Sequence, residues 1–92
     1  MANYIASYDL NGPGPSHQEM DDHIRQLPCQ WARVLETVWY IGTSIPMQDL
    51  KSHLASILGP EDLLLVVQCS EATWTKLLVA NDPLLAAWNS NR

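Results

Sequence analysis

The sequence is short of positive charge. Only five of its 92 residues are lysine or arginine, against ten aspartates and glutamates, so the formal net charge is −5. Affinity for nucleic acid comes largely from basic side chains that neutralise phosphates. The five cations are scattered and form no basic stripe: Arg25, Arg33, Lys51, Lys76 and Arg92. The composition argues against tight non-specific nucleic-acid binding, and it fits solubility or a basic protein partner better.

Cysteine and long apolar runs are also scarce. Cys29 and Cys69 are the only cysteines, they form no Cys-x-x-Cys pair, and no histidine stands at ligand spacing to either. No apolar run approaches the ~18 residues of a membrane span. The N-terminus lacks the charged and apolar regions of a secretory signal. We therefore expect a cytoplasmic protein with reduced thiols and no membrane contact.

Charged residues of both signs are few, at 16% of the chain, whereas about 25% is usual for a globular domain. Hydrophobic residues make up 47%. A chain of this length forms one domain and buries roughly 60–65% of the surface that its unfolded state exposes. We predict a single domain, residues 1–92, with apolar surface left for a partner, most simply a second copy.

The first third of the chain predicts a strand followed by a capped helix. Asn3–Leu10 alternates imperfectly and ends at the Pro/Gly cluster of residues 11–15, which reads as a rigid turn rather than a phosphate-binding loop. Ser16–Leu27 carries apolar residues at helical spacing. Ser16 and Glu19 form a Ser-x-x-Glu capping box at its start.

The middle of the chain predicts strand, helix and strand. Val34–Gly42 is rich in β-branched and aromatic residues and is the clearest strand, with residues 30–33 leading in or pairing as strand themselves. Ser44–Leu58 is predicted as a helix with Ser44 as its N-cap. Leu63–Gln68 is a short continuous apolar run, which indicates a buried strand.

The last quarter is less patterned. Glu71–Val79 fits a short strand or a helical turn, and Asp82 with Pro83 behind it predicts the N-cap of a helix running through Trp88. The order of elements predicts an α+β fold of ferredoxin-like βαββαβ type. Two helices cover one face of a small antiparallel sheet, the first and third predicted strands are central, and dimerisation covers the other face.

Two short motifs carry a resemblance to a known family. Tyr-Asp-Leu-Asn at residues 8–11 closes the first strand, a capped helix follows, and Glu-Thr-Val-Trp at residues 36–39 lies in the second strand. This arrangement resembles the small CRISPR-associated adaptation protein superfamily, and above all its branch of small bacterial and phage-borne proteins labelled SinR-like. The resemblance implies a ferredoxin-like homodimer, and some members are described as metal-dependent nucleases.

The resemblance also implies a site residue. The family's metal-binding aspartate falls on Asp9, and two copies in a dimer would hold one Mg²⁺, which takes hard oxygen ligands and keeps several waters. Such a metal polarises a phosphoryl oxygen and activates water. The family's Ser-x-Phe corresponds to residues 37–39, and its basic surface has no counterpart here. Alternatively, Asp9 caps the loop that follows it or makes a contact across the dimer.

Other candidate residues are read more plainly. His17, His23 and His53 are expected to be either solvated or helix-surface histidines, since none is paired in sequence with a nucleophile. Base stacking requires an aromatic residue with a neighbouring cation, and Trp31 beside Arg33 is the candidate for it. Tryptophan is enriched at interfaces. The predicted interface or partner residues lie in the tail: Trp74, Leu84, Leu85 and Trp88.

These observations lead to one predicted function and two alternatives. The first is a small homodimeric interaction or regulatory protein, from a mobile element or a defence-related locus, that keeps the family fold without robust nuclease activity. The second is a Mg²⁺-dependent endonuclease that uses Asp9 from both subunits. The third is an acidic inhibitor of a nucleic-acid-binding partner.

Overall fold

Four strands and three helices follow one another in a computed structural model that describes all residues, 1–92. In chain order they are β1 Ala2–Asp9, α1 His17–Arg25, β2 Gln30–Leu35, β3 Val38–Thr43, α2 Met47–Ala55, β4 Leu63–Cys69 and α3 Asn81–Ser90. The strands form one antiparallel sheet in the order β2-β3-β1-β4. The predicted α+β class is confirmed: the protein is a four-stranded antiparallel sheet with three helices.

β1 lies inside the sheet and contributes to two cores. Its even-numbered side chains face α1 and α2, while its odd-numbered ones face the side on which α3 lies. On the first side, the two helices and the inward side chains of β1 and β3 form the larger core. Its buried members are Tyr4, Ala6, Tyr8, Met20, Ile24, Leu27, Trp39, Ile41, Leu50 and Leu54.

α1 begins where the sequence predicts. The Ser16 hydroxyl accepts the Glu19 amide N–H at 3.1 Å, and the Glu19 carboxylate accepts the Ser16 amide N–H at 2.9 Å. This capping box satisfies two amides that the helix leaves without partners. The apolar stripe then buries Met20 and Ile24 completely against the sheet.

α3 covers part of the opposite face. Leu84 and Trp88 pack on Val34 and Tyr40 to form a second, smaller core over the β2–β3 half of the sheet. Beyond α3, Asn91 is buried against Gly42, where an added Cβ would lie only 2.5 Å from the Asn91 amide nitrogen. The close approach of α3 to the sheet therefore requires glycine at this position.

The prediction of one strand over Val34–Gly42 is wrong. The segment is a hairpin in which Glu36 and Thr37 form the turn and Leu35 lies opposite Val38. The turn contains neither glycine nor asparagine, the residues that usually mark a tight hairpin, so the sequence carries no turn signal at Glu36 and Thr37. The alternative that residues 30–33 pair as strand is confirmed, because they form most of β2.

Two predicted helix caps are also wrong. α2 starts at Met47 with Pro46 at the N-cap, and Ser44 lies outside it because the Thr43 hydroxyl holds the Ile45 amide at 3.1 Å. α3 starts at Asn81, so Asp82 lies in its first turn and the N-cap position belongs to an alanine. The segment from 71 to 79 forms neither the strand nor the helical turn that the sequence allows.

The prediction that Leu63–Gln68 is a buried, central strand is wrong in position. The segment is a strand, but β4 lies at the edge of the sheet and pairs only with β1. None of its residues is buried, although it contains no charged side chain. The chain after β4 returns across the sheet face to the β2 side and leaves the β4 side open.

Candidate functional site

An apolar stripe runs along the uncovered face of β4. It consists of Leu63, Leu65 and Val67, which are 58%, 61% and 41% exposed. Leu64 and Val66 point the other way and pack against the larger core. Contiguous exposed apolar side chains on a small protein mark an interaction surface. The sequence does not predict this surface, because a continuous apolar run indicates a buried strand.

Asp9 lies at one end of the stripe. It is the last residue of β1, it faces Leu63 across the strand pair, and it is exposed. Its carboxylate takes part in no hydrogen bond or ion pair within the chain. The alternative that Asp9 caps the following loop therefore finds no support in these contacts, and the carboxylate is free for a ligand or a partner.

Asp62 performs the capping instead. One of its oxygens accepts the amides of Asn11 at 2.8 Å and Gly12 at 3.1 Å, while the other accepts the Gly59 amide at 2.8 Å. The hydrogen bonds from Gly59 and Asn11 lower the pKa of the Asp62 carboxyl below its ordinary value. This carboxylate therefore ties the turn after β1 to the turn before β4 and holds the Asp9 end of the stripe in place.

A metal at Asp9 would need ligands from a second chain. Within one chain, no three His, Cys, Asp or Glu side chains are grouped so that they could hold a metal ion. A single free, exposed carboxylate suits a hard cation such as Mg²⁺ and supplies one ligand for each protomer. The fit therefore depends on how close two copies of Asp9 can approach.

No protein-family model matches the chain, and no curated protein matches it. The resemblance to the CRISPR-associated adaptation superfamily therefore remains a prediction based on the short motifs at residues 8–11 and 36–39. None of the three helices has the length and apolar character that crossing a membrane requires.

The predicted tail residues divide into two pairs. Leu84 and Trp88 are only 5% and 6% exposed, because α3 packs them against the sheet. They are core residues and have little surface to offer a partner, which corrects their prediction as interface residues. Trp74 is half-buried and its indole N–H donates to Asn81 at 2.9 Å, while Leu85 is exposed. A contact role for Trp74 and Leu85 stays a prediction.

A buried carboxylate lies beneath the sheet near β2. Asp21 of α1 accepts the Tyr8 hydroxyl at 2.7 Å and the Trp39 indole N–H at 3.1 Å, and Arg33 lies 4.0 Å away. Burial and the hydrogen bond to Asp21 raise the pKa of Tyr8. Every oxygen and donor of this group has a partner, so it acts as a polar anchor between α1 and the sheet.

The predicted stacking neighbourhood is engaged in packing. Trp31 meets Trp39 edge to face at 6.1 Å, and the Arg25 guanidinium lies 5.3 Å from the centre of the Trp39 ring. Arg25 also pairs with Asp22 at 3.3 Å. These contacts engage Arg25 within the chain, and they leave Trp31 of β2 38% exposed.

Two histidines meet in a way that sequence reasoning missed. His23 and His53 stack at 4.2 Å with their rings 6° from parallel, and the Nε2 of His23 lies 2.6 Å from the His53 carbonyl oxygen. Both are half-buried rather than solvated. They lie near the ends of α1 and α2 and join these helices. Because they are 30 residues apart, no local pattern could have paired them.

Proposed function

We propose that the protein is a small homodimeric interaction or regulatory protein whose copies associate through the apolar stripe. One observation carries the proposal: β4 is among the most apolar strands of the sheet, and it is the one with no buried residue. Burial of apolar surface contributes about 25 cal/mol per Å². A second copy that sets its own stripe beside this one would shield part of the apolar surface that the composition of β4 leads one to expect buried.

The finer fold assignment belongs to the same proposal. We assign the sheet to the ferredoxin-like class, and the order β1-α1-β2-β3-α2-β4 with two helices on one face supports this. The resemblance to SinR-like proteins, which implies a homodimer of this fold, supports the same assignment. The cytoplasmic location and the mobile-element or defence context rest on composition and resemblance and are proposed with it.

Light scattering on two matched variants tests the association. Leu65→Lys places a charge in the middle of the stripe, whereas Leu35→Lys places one at a comparably exposed apolar position, 48% exposed, on the opposite edge of the sheet. We expect the unmodified protein and Leu35→Lys to scatter as twice 10.3 kDa and Leu65→Lys to scatter as 10.3 kDa. A mass of 10.3 kDa for the unmodified protein at micromolar concentration contradicts the proposal.

A second candidate function is a Mg²⁺-dependent endonuclease. The specific observation that favours it is the free Asp9 carboxylate at the end of the stripe, which no residue of its own chain engages. We expect Asp9→Asn to abolish any Mg²⁺-dependent cleavage of RNA or DNA, because the amide is a weaker ligand for a hard cation. Asp49→Asn, an exposed change in α2, is the control that should retain it. Cleavage that survives Asp9→Asn excludes Asp9 as its metal ligand.

A further inference from the structure

The outer side of β4 is a free sheet edge as well as the border of an apolar face. β4 pairs with β1 on one side only, and no backbone hydrogen bond from outside the sheet reaches it. The strand contains no charge, no proline and no bulge, which are the features that normally keep sheet edges apart. An edge of this kind is a template for pairing with another strand.

The hydrogen-bond parity of the sheet identifies which groups are free. The Tyr8 amide bonds to the Thr37 carbonyl at 3.1 Å, so even-numbered residues of β1 bond toward β3 and odd-numbered ones bond toward β4. Ser7 lies opposite Leu65, so the odd-numbered residues of β4 bond inward. The N–H and C=O groups of Leu64, Val66 and Gln68 therefore point away from the sheet.

We propose that two copies join edge to edge through β4, antiparallel, with Leu65 next to Leu65 of the second copy on the two-fold axis. This inference rests on the proposed homodimer and specifies its geometry. Leu65 then forms a non-hydrogen-bonded pair with its copy, and Leu64 and Val66 form hydrogen-bonded pairs on either side. The two sheets become one continuous sheet of eight strands.

This register makes the stripe complementary to itself. Leu63 faces Val67 of the second copy, so exposed apolar side chains meet each other along the whole stripe. A two-fold centred on Val66 would instead set Leu63 opposite Cys69 of the second copy. It would also bring together the ends of β4 that are flanked by Glu61 and by Glu71, and neighbouring like charges are destabilising. The Leu65 centre avoids this pair, which favours a second copy in that register.

Edge pairing also separates the two proposed functions. Asp9 lies one strand in from the edge and opposite Leu63. In the Leu65-centred dimer the two Asp9 positions are three strand spacings apart across the sheet and four residues apart along it, or about 20 Å in all. Two carboxylates at that distance cannot share one Mg²⁺, so this dimer and a shared Asp9 metal site exclude each other.

Cysteine cross-linking tests the register. In a Cys29→Ala, Cys69→Ser background, Leu65→Cys should oxidise to a covalent dimer, because side chains of a non-hydrogen-bonded pair come within disulfide reach. Leu63→Cys should not link to itself, since its two copies are about 14 Å apart along the strand. Leu63→Cys mixed with Val67→Cys should link only as the mixed dimer.

The outcomes distinguish the inference from the function on which it rests. If light scattering reports a dimer and Leu65→Cys links as expected, edge pairing stands. If the protein is a dimer but Leu65→Cys fails to link, or Leu63→Cys links to itself, edge pairing is overturned and the homodimer stands. If the background protein and the unmodified protein are both monomers, the homodimer and its geometry both fail.

Discussion

The two edges of the sheet are built in opposite ways. β2 carries Arg33, has an irregular register between Arg33 and Leu35, and receives a hydrogen bond from the Leu78 amide to the Val34 carbonyl at 3.0 Å. α3 covers one of its faces and α1 lies beside the other. β4 packs one face on the larger core, but it has no charge, no bulge and no hydrogen bond from outside the sheet, and it carries only apolar residues, one glutamine and one cysteine. The β2 edge is closed, whereas the β4 edge is open.

The difference between the two edges shows which half of the sheet carries the specific packing contacts. Both the buried Asp21 group and the Gly42–Asn91 contact lie on the β2–β3 half of the sheet. The tail crosses to that half after β4 and does not turn back to cover β4 itself. The domain therefore protects one edge with a charge, a bulge, a helix and a loop, and leaves the other edge apolar and open.

The largest loss of stability is expected from removing Asp21, the polar anchor near the β2 edge. Asp21→Ala leaves the Tyr8 hydroxyl and the Trp39 indole N–H buried without an acceptor. We expect a loss of about 2–4 kcal/mol in the free energy of unfolding, measured by urea titration. The neighbouring change Asp22→Ala breaks an exposed ion pair with Arg25 and an exposed hydrogen bond from Gln18, and should cost less than about 1 kcal/mol. Equal effects from the two variants would contradict the anchor.

A slightly smaller loss of stability is expected from adding a methyl group at Gly42, where α3 approaches the sheet. Gly42→Ala drives a methyl group into Asn91 and the Tyr40 hydroxyl, so α3 must shift away from the sheet. We expect about 1–3 kcal/mol of destabilisation in the same titration. Gly59→Ala is the matched control, since its added Cβ meets nothing closer than 3.5 Å and should change stability by less than about 0.5 kcal/mol. A neutral Gly42→Ala would show that α3 is not held at this contact.

On the β4 side, the Asp62 carboxylate accepts the amides of Asn11, Gly12 and Gly59, and these hydrogen bonds predict that stability depends on pH. Its folded pKa is lowered by backbone hydrogen bonds, so the stabilisation is present above the ordinary aspartate pKa and disappears as the pH falls through the lower, folded value. Asp62→Asn should therefore be less stable than the unmodified protein at neutral pH, and the two should converge in acid. Urea midpoints across this range measure the difference, and a gap that widens in acid would contradict the assignment.

The smallest effect is expected in the reactivity of the two thiols, since one lies beside each edge. Cys29 precedes β2 and burial raises the pKa of its thiol, so it should react slowly with iodoacetamide at every protein concentration. Cys69 ends β4, so pairing of that edge should slow its alkylation as the protein concentration rises. Mass spectrometry of the two peptides measures both rates. A rate at Cys69 that is independent of concentration would show that the β4 edge stays open.

The sequence predicted an element well where the residues that define its start lie within one turn of each other. The capping box of Ser16 and Glu19 located the start of α1, because both partners lie within one turn. The hairpin turn at Glu36–Thr37 has no such signal, so two strands read as one. Ser44 and Asp82 are good capping residue types, but the Thr43 hydroxyl bonds the Ile45 amide, Trp74 donates to Asn81, and both helices start at other residues.

The candidate site depended on contacts that no local pattern contains. The apolar run of β4 predicted a buried strand, but β4 lies at the sheet edge and none of its residues is buried. Asp9 was singled out by resemblance, and only the structure shows that its carboxylate has no partner while Asp62 caps the loop. The partners of Asp21 come from β1 and β3, so this anchor could not be read from spacing along α1.

Of the four strands in this sheet, β1 is made before the others and is the last to be paired on both sides. Its partner β3 follows within the first half of the chain, but Leu63, which pairs with Asp9, is made much later. Translation at roughly 5–20 residues per second puts about 3–11 s between these two residues. During that time one side of β1 is itself an open edge. The speed of synthesis between residues 9 and 63 therefore sets how long a nascent chain can pair with its neighbour on the same messenger.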